Sequence, residues 1–423
     1  VCPVNGCRIE QHQRPEMQDW GLWLREGQSI NPDNGLVVGT PLRSATASFW
    51  LNGVAANFTT WTNLVVSYLN ALAEYEKTGS EDALKKFHNT DIGEPYLPKS
   101  FESELLPEVL KARAEPFPTR PLGEPERIDR VPMVEPLVPE GVRFLVASVD
   151  VQNNLFSVQV HGIQPGQPFD MVVLDRFQIR KSRREDVQGD VLWVKPASYL
   201  EDWEELRTEV MNRSYALADG TGRRMSIRMT VCDSGGREGV TTNAYNFWRK
   251  LRSEGAAGRF HLIKGETHPS HPRAHIRFPD SNKRDKLSAA RGDVPVMFFN
   301  SNLIKDSLRG RVDCLVPGKG MLRFGAWLPD AWFSEMCVEV RGDKGWENPK
   351  SLRNEAWDLC YYAMGACVST MVRVESIDWE KPPGWAAEWG ENDMVSAADT
   401  PRFASQEKPV AMPDFGRHAR RMG

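Results

Sequence analysis

The sequence predicts an α/β fold, a mixed sheet flanked by helices, and three observations carry that reading. Val142-Arg143-Phe144-Leu145-Val146-Ala147-Ser148-Val149-Asp150 is an apolar run bounded by turn signals, as in a buried strand. Gln152-Asn153-Asn154 makes a tight turn, and Leu155 to Val160 alternates apolar and polar residues, an antiparallel return. A second buried run, Met225 to Cys232, leads through Asp233-Ser234-Gly235-Gly236 into a helix with Val240, Ala244, Phe247, Trp248 and Leu251 on one face. Strands alternating with helices after an antiparallel start define an α/β layer rather than a sandwich.

Composition sets the limits. The 423 residues have room for two or three domains, and 40% hydrophobic with 26% charged residues supports a packed core. A formal net charge of −4 excludes a polycation, so any nucleic-acid surface must be a local patch. Seven scattered cysteines suit a reduced, cytoplasmic setting better than a secreted one. No apolar run reaches transmembrane length and no signal-peptide pattern opens the chain. The start at Val1-Cys2-Pro3, without Met, reads as the middle of a longer protein. Cys2 and Cys7 are a weak zinc signal, because a tetrahedral site needs two further ligands and His12 does not complete a set. No zinc is expected there unless the pair is half of a truncated ribbon.

In chain order, residues 48–96 read as α-rich, within a first segment of residues 1–114. Leu64, Val65, Tyr68, Leu69 and Leu72 share one helical face, and a second helix from Glu81 to His88 stops at Gly93-Glu94-Pro95. Residues 115–141 carry Pro116, Pro118, Pro121, Pro125, Pro132, Pro136 and Pro139, the composition of a stiff, extended linker. Within 142–369, Met171 to Leu174 is a third strand, followed by the basic Arg180, Lys181, Arg183 and Arg184. Leu200 to Met211 is a helix with Trp203, Leu206 and Val210 inside, and Phe260 to Ile263 a short strand ending at Lys264-Gly265. Residues 266–295 read as a polar loop carrying Lys283, Arg284, Lys286 and Arg291, before helices at Asn302–Val312 and Asn354–Val368. Residues 370–423 read as a polar, flexible tail with isolated tryptophans, Trp379, Trp385 and Trp389.

The chemistry concentrates in a few acids. Asp150 and Asp233 both end buried strands, so parallel pairing would bring them to one sheet edge. The last helix is apolar nearly all round, yet holds Glu355 and Asp358 at i,i+3 spacing on one face. A carboxylate there needs a partner, because an unpaired buried charge is costly. Divalent cations resolve repulsion among converging acids, and Mg²⁺ favours carboxylates with water and phosphate oxygens. Two Mg²⁺ or Mn²⁺ ions would activate a water and stabilise the leaving oxygen of a phosphodiester. Each acid also has a bland explanation: Asp150 opening the turn, Asp233 or Ser234 capping the next helix, Asp358 pairing with Arg353. Lys264 is equally a phosphate contact or a solvated loop lysine, and the basic runs are equally DNA contacts or solvated surface.

The order of these pieces resembles the large subunit of phage terminases, the lambda-like GpA group. The resemblance runs through Ser48-Phe49-Trp50-Leu51-Asn52, Trp61, Leu84 to Thr90, Gly93-Glu94-Pro95 and Arg113-Ala114-Glu115-Pro116-Phe117-Pro118. It continues in Val149-Asp150-Val151-Gln152, Asp233-Ser234-Gly235-Gly236, Ile263-Lys264-Gly265 and Arg353-Asn354-Glu355-Ala356-Trp357-Asp358. It implies an RNase H-like endonuclease preceded by the end of an ATPase motor domain, acting on double-stranded DNA. It further implies a terminase small subunit and a portal or procapsid as partners, an oligomeric assembly, and work in the host cytoplasm. Asp150, Asp233 and Asp358 would be the metal-binding acids, with Glu355 a fourth. The sequence contains no Gly-x-x-x-x-Gly-Lys-Ser/Thr phosphate loop, so this chain alone is expected not to hydrolyse ATP. An RNase H-like transposase or resolvase, or a packaging adaptor that docks on portal and DNA without cutting, are the rival readings.

Overall fold

The computed structural model describes residues 6–397 apart from 44, 47, 79, 97–104, 122–127, 131, 237, 269, 280–291 and 343. The chain divides into two compact units, Val1–Tyr75 with Glu81–Pro98, and Glu76–Ser80 with Lys99–Gly423. In the smaller, Leu64 and Ala71 of helix α1 (Trp61–Thr78) pack with Leu84 and Phe87. Val65, Tyr68 and Leu69, expected on the same buried face, are exposed. The second helix, Asp82–Lys86, continues through a wide turn at Phe87–Ile92 and stops at Gly93, whose φ of 79° is left-handed.

The larger unit is built on a mixed sheet. Its principal strands are β1 (Phe144–Val151), β2 (Phe156–Gln164), β3 (Asp170–Ile179), β4 (Arg224–Asp233), β5 (Phe260–Glu266), β6 (Ala274–Arg277), β7 (Val296–Asn300) and β8 (Leu322–Phe324). They lie in the order β6-β7-β5-β4-β1-β2-β3-β8. β1, β4, β5 and β7 run parallel, while β2 and β6 run against their neighbours. Side chains of β1 alternate between two cores: Phe144 and Val146 enter one, Leu145, Ala147 and Val149 the other. Helices cover both faces, which is why the central strands read as continuous apolar runs. One face carries α2 (Val240–Ser253) and the helical run Leu200–Met211; the other carries α3 (Ser301–Asp313), α4 (Asp330–Met336) and α5 (Glu355–Val368).

α5 lies across β1, β2 and β4. Ser148 Oγ donates to the Leu359 carbonyl at 2.8 Å, and Gln159 Nε2 donates to Cys360 Sγ. Gln159 is fully buried and also accepts from Trp332 Nε1 at 2.8 Å, so one side chain ties both α4 and α5 to β2. Gly365 lets α5 approach β7, since a Cβ there would meet the Phe299 ring at 2.5 Å.

Five segments differ from expectation. The proline-rich stretch is strapped to the larger unit: Thr119–Pro121 pairs with Val134–Pro136, Ile128–Asp129 adds to β3, and Glu115 and Val138 bridge to Gly325 and Leu217. Proline excludes helix and central strands but permits such edge pairing. The division between units accordingly falls near residue 98, not within 115–141. The described part of the tail is also packed. Trp385 meets the Phe144 ring edge-on at 5.0 Å, Trp389 Nε1 donates to the Val142 carbonyl, and Val395–Ser396 pairs with β4. The polar loop contains β6, and two strands were not foreseen: β7 is a short apolar run without alternation, and β8 is only three residues long.

A buried ion pair fixes the approach to β3. Arg130 Nη2 and Tyr215 Oη both donate to Asp175 Oδ2 at 2.7 Å, with Asp175 fully inaccessible. Asp175→Ala should lower unfolding free energy by about 3–5 kcal/mol, because Arg130 would be left charged and unpaired. Urea unfolding measures this, and replacing both partners (Arg130→Met with Asp175→Leu) should recover most of it.

Candidate active site at the sheet edge

Parallel pairing delivers the first two acids together. Cys232 is in register with Val149, so the next residues, Asp233 and Asp150, leave β4 and β1 side by side. The turn after β4 keeps the Asp233 carboxylate in place: Gly235 N donates to its Oδ1 at 3.0 Å, and a Cβ on Gly235 would crowd both oxygens at 3.3–3.4 Å. Asp233 does not cap α2, whose N-terminal cap is Gly239. Asp150 accepts a hydrogen bond from Gln152 Nε2. Asp358 comes in from the first turn of α5, with Asn354 Nδ2 donating to its Oδ2 at 3.0 Å.

These carboxylates act on one another. Burial pushes the Asp150 carboxyl up to about 7, opposed by the Gln152 hydrogen bond and reinforced by the charges of Asp233, Asp358 and Glu355. Asp233 is raised by burial and by Asp358, against the Gly235 amide and the Lys264 charge. Asp358 is raised by burial, against the opposing pull of Lys305. Such a set is short of positive charge and suits hard divalent cations.

Two residues at this site escaped sequence reading. Lys305 of α3 is buried and places Nζ 2.8 Å from Asp358 Oδ1 and 2.7–2.8 Å from both oxygens of Glu339. Its signal was present: Lys305 shares a helical stripe with the buried Leu308 and Val312. Asp358 therefore has a basic partner, but it is Lys305 rather than Arg353. Arg353 instead engages Glu355 at 3.1–3.2 Å. Glu355 sits beside Glu335, whose Oε2 accepts from the Ala356 amide and from the buried Arg176. Lys264 lies near enough to Asp233 to lower its pKa, with Nζ 5.9 Å from the Tyr245 ring centroid.

The first basic run begins at this same edge. Val151 pairs with Phe156 and Phe156 with Ile179, so Arg180 leaves β3 at the edge where Asp150 leaves β1. Three of its members already have partners: Arg180 with Asp129, Arg183 with Glu205, and Arg184 with the buried Asp202. Lys181 is exposed. Lys283, Arg284, Lys286 and Arg291 lie outside the described residues, as does Cys2. The flanking Arg277 and Val296 pair on the outer strands, where Val296 is in register with Leu262 and, through it, with Cys232.

Likeness to known proteins places this acid-bearing, helix-covered mixed sheet in a family. Residues 46–379 match the family described as terminase large subunit gpA, endonuclease domain, and the chain belongs to that family. The terminase large subunit of Enterobacteria phage P21 is 27% identical over 245 residues, covering 56% of this chain and 31% of that protein. That of Escherichia phage lambda is 26% identical over 242 residues, with the same shares. The chain thus spans about a third of the length of these relatives. No solved structure matches it. No helix of the described residues is long and apolar enough to cross a membrane.

The raised carboxyls set a pH dependence. A carboxyl whose folded pKa lies above its unfolded value binds more protons in the native state, so metal-free stability falls as pH rises from about 4 to about 7. Asp150→Asn should flatten that fall, by roughly a few kcal/mol at neutral pH. Thermal unfolding in chelator from pH 4.5 to 7.5 measures it; parallel curves for both proteins would contradict the assignment.

Proposed function

We propose that this chain carries the DNA-cutting domain of a viral DNA-packaging terminase, an RNase H-like endonuclease that hydrolyses phosphodiesters of concatemeric double-stranded DNA. The convergence of Asp150, Asp233 and Asp358 from two parallel strands and a buried helix carries the reading. Asp150, Asp233 and Asp358 would hold two Mg²⁺ or Mn²⁺ ions, with Glu355 a fourth acid. When bound, such ions supply a water of lowered pKa and a Lewis acid for the leaving oxygen. The donor set fits: hard oxygen ligands whose mutual repulsion a divalent charge relieves.

The protein's own groups do the rest. Gln152 and the Gly235 amide orient Asp150 and Asp233. Lys305 neutralises Asp358 and, held at the same time by Glu339, can yield it to a stronger cation without losing its own partner. Lys264, beside Asp233, meets the negative charge of a backbone phosphate. Lys181 with Arg180, Arg183 and Arg184 would guide the duplex to the edge, a salt-dependent contact; Lys283, Arg284, Lys286 and Arg291 would add to it. In the whole assembly the domain would work as part of an oligomer with a small subunit and a portal or procapsid, in the host cytoplasm. The smaller unit, up to residue 98, would be the end of the motor domain, supported by the exposed Trp20, Trp23, Phe49, Trp50 and Phe58, apolar groups that further chain could cover.

Asp150→Asn, Asp233→Asn and Asp358→Asn should each reduce Mg²⁺- or Mn²⁺-dependent plasmid nicking by at least ~100-fold, since even outer partners of metal ligands are worth 10–100-fold. Each should melt no lower than the parent without metal, because Asn keeps the shape of Asp and removes one of several repelling charges. A variant that folds and nicks at the parental rate removes that residue from the site. A parent that binds DNA but never nicks with either metal identifies a packaging adaptor instead.

A further inference from the structure

We propose that Glu266, His271 and His275 form a binding site for one transition-metal ion of the zinc class, with a ligand set separate from the acidic edge. Among the described residues these three place their ligand atoms within 4.8 Å of one another. Glu266 is the last residue of β5, His275 belongs to β6, and His271 lies in the connection between them. His271 Nδ1 is 2.9 Å from Glu266 Oε2, and His275 Nδ1 is 3.3 Å from Glu266 Oε1. Two ligand atoms on a tetrahedral zinc with bonds near 2.0 Å stand about 3.3 Å apart, so little movement is needed to close the site.

A second observation points the same way. Beyond that His275–Glu266 contact, both ring nitrogens of His275 and Oε1 of Glu266 are inaccessible to solvent and have no hydrogen-bond partner. Buried polar atoms left unsatisfied are rare and destabilising, and an unfilled ion is one standard reason for them. The rings are also held. His275 stacks on Phe298 with centroids 5.7 Å apart, and His271 stacks on His268 at 4.5 Å. Asn300, buried at the end of β7, donates from Nδ2 to the carbonyls of both His268 and His271 at 3.0 Å, while its own amide donates to the Arg273 carbonyl. The backbone carrying the imidazoles is therefore pinned to the sheet before any ion arrives.

The donor chemistry selects the ion. Two imidazole nitrogens and one carboxylate suit Zn²⁺ and its neighbours, whereas Mg²⁺ prefers oxygen alone. The site would thus fill in the presence of the ions proposed for Asp150, Asp233 and Asp358. Arg277 borders the seat, Nη1 3.6 Å from Glu266 Oε2 and Nη2 3.3 Å from His271 Nε2. It is half-exposed, so an arriving ion can displace it toward solvent. Bound metal would staple the edge strand β6 and the connection before it to β5.

Titrating the purified chain with Co²⁺ in excess Mg²⁺ should give one equivalent of bound ion with visible ligand-field absorption, displaced by Zn²⁺. Zn²⁺ should raise the melting temperature. His275→Gln, and separately Glu266→Gln, should weaken binding by ~100-fold while melting near the parent in chelator. Asp150→Asn, Asp233→Asn and Cys7→Ser should bind as the parent does. Absence of stoichiometric binding, or binding unchanged by His275→Gln and Glu266→Gln, overturns the site. Loss of binding in Asp150→Asn or Cys7→Ser, with His275→Gln unaffected, also overturns it by moving the ion elsewhere.

Discussion

Electrostatic conflict among partly buried carboxylates organises the acid-bearing end of this molecule. Asp150 and Asp233 stand at the ends of the adjacent strands β1 and β4, and α5 brings Asp358 within electrostatic reach of both. Nothing in the backbone lets them separate. β1 and β4 are inner strands, and α5 is tied to β1 through Ser148 and to β2 through Gln159. The protein limits the conflict with single polar contacts: Gln152 on Asp150, the Gly235 amide on Asp233, Lys305 on Asp358. In the proposed function, divalent cations would relieve that conflict.

The parts of this arrangement that follow from short-range pattern were legible in the sequence. Asp150 and Asp233 each follow a buried apolar run, so strand ends and carboxylate positions came from the same signal. The buried character of α5 was equally plain. Its two acids, however, separate in the structure: Asp358 turns to Lys305, and Glu355 to Arg353. Spacing alone shows that two residues share a helical face, not which neighbour each one meets. Lys305 belongs to α3, Glu339 follows α4, and their meeting with Asp358 depends on three helices packing on one face of the sheet. Such long-range pairing leaves no local trace.

Proline and tryptophan misled in opposite senses. The prolines between 116 and 139 disfavour helix, but extended chain can still pair at an edge, as Thr119–Pro121 and Val134–Pro136 do. Trp385 and Trp389 stand in a polar context that suggests solvent, yet their rings reach Phe144 and Val142 on β1 and its approach. The basic residues after β3 carry two roles at once. Arg183 and Arg184 neutralise the buried Glu205 and Asp202, which accounts for their presence without any ligand, while the register places the run at the acid-bearing edge.

The central claim is that Asp150, Asp233 and Asp358 together bind divalent cations. Diffraction from crystals soaked in Mn²⁺, recorded where manganese scatters anomalously, tests it most directly. The account predicts anomalous peaks bounded by these three carboxylates, with Lys305 withdrawn from Asp358 and still paired to Glu339. Saturating Mn²⁺ that leaves no peak at this edge, with the Lys305–Asp358 pair intact, would contradict it.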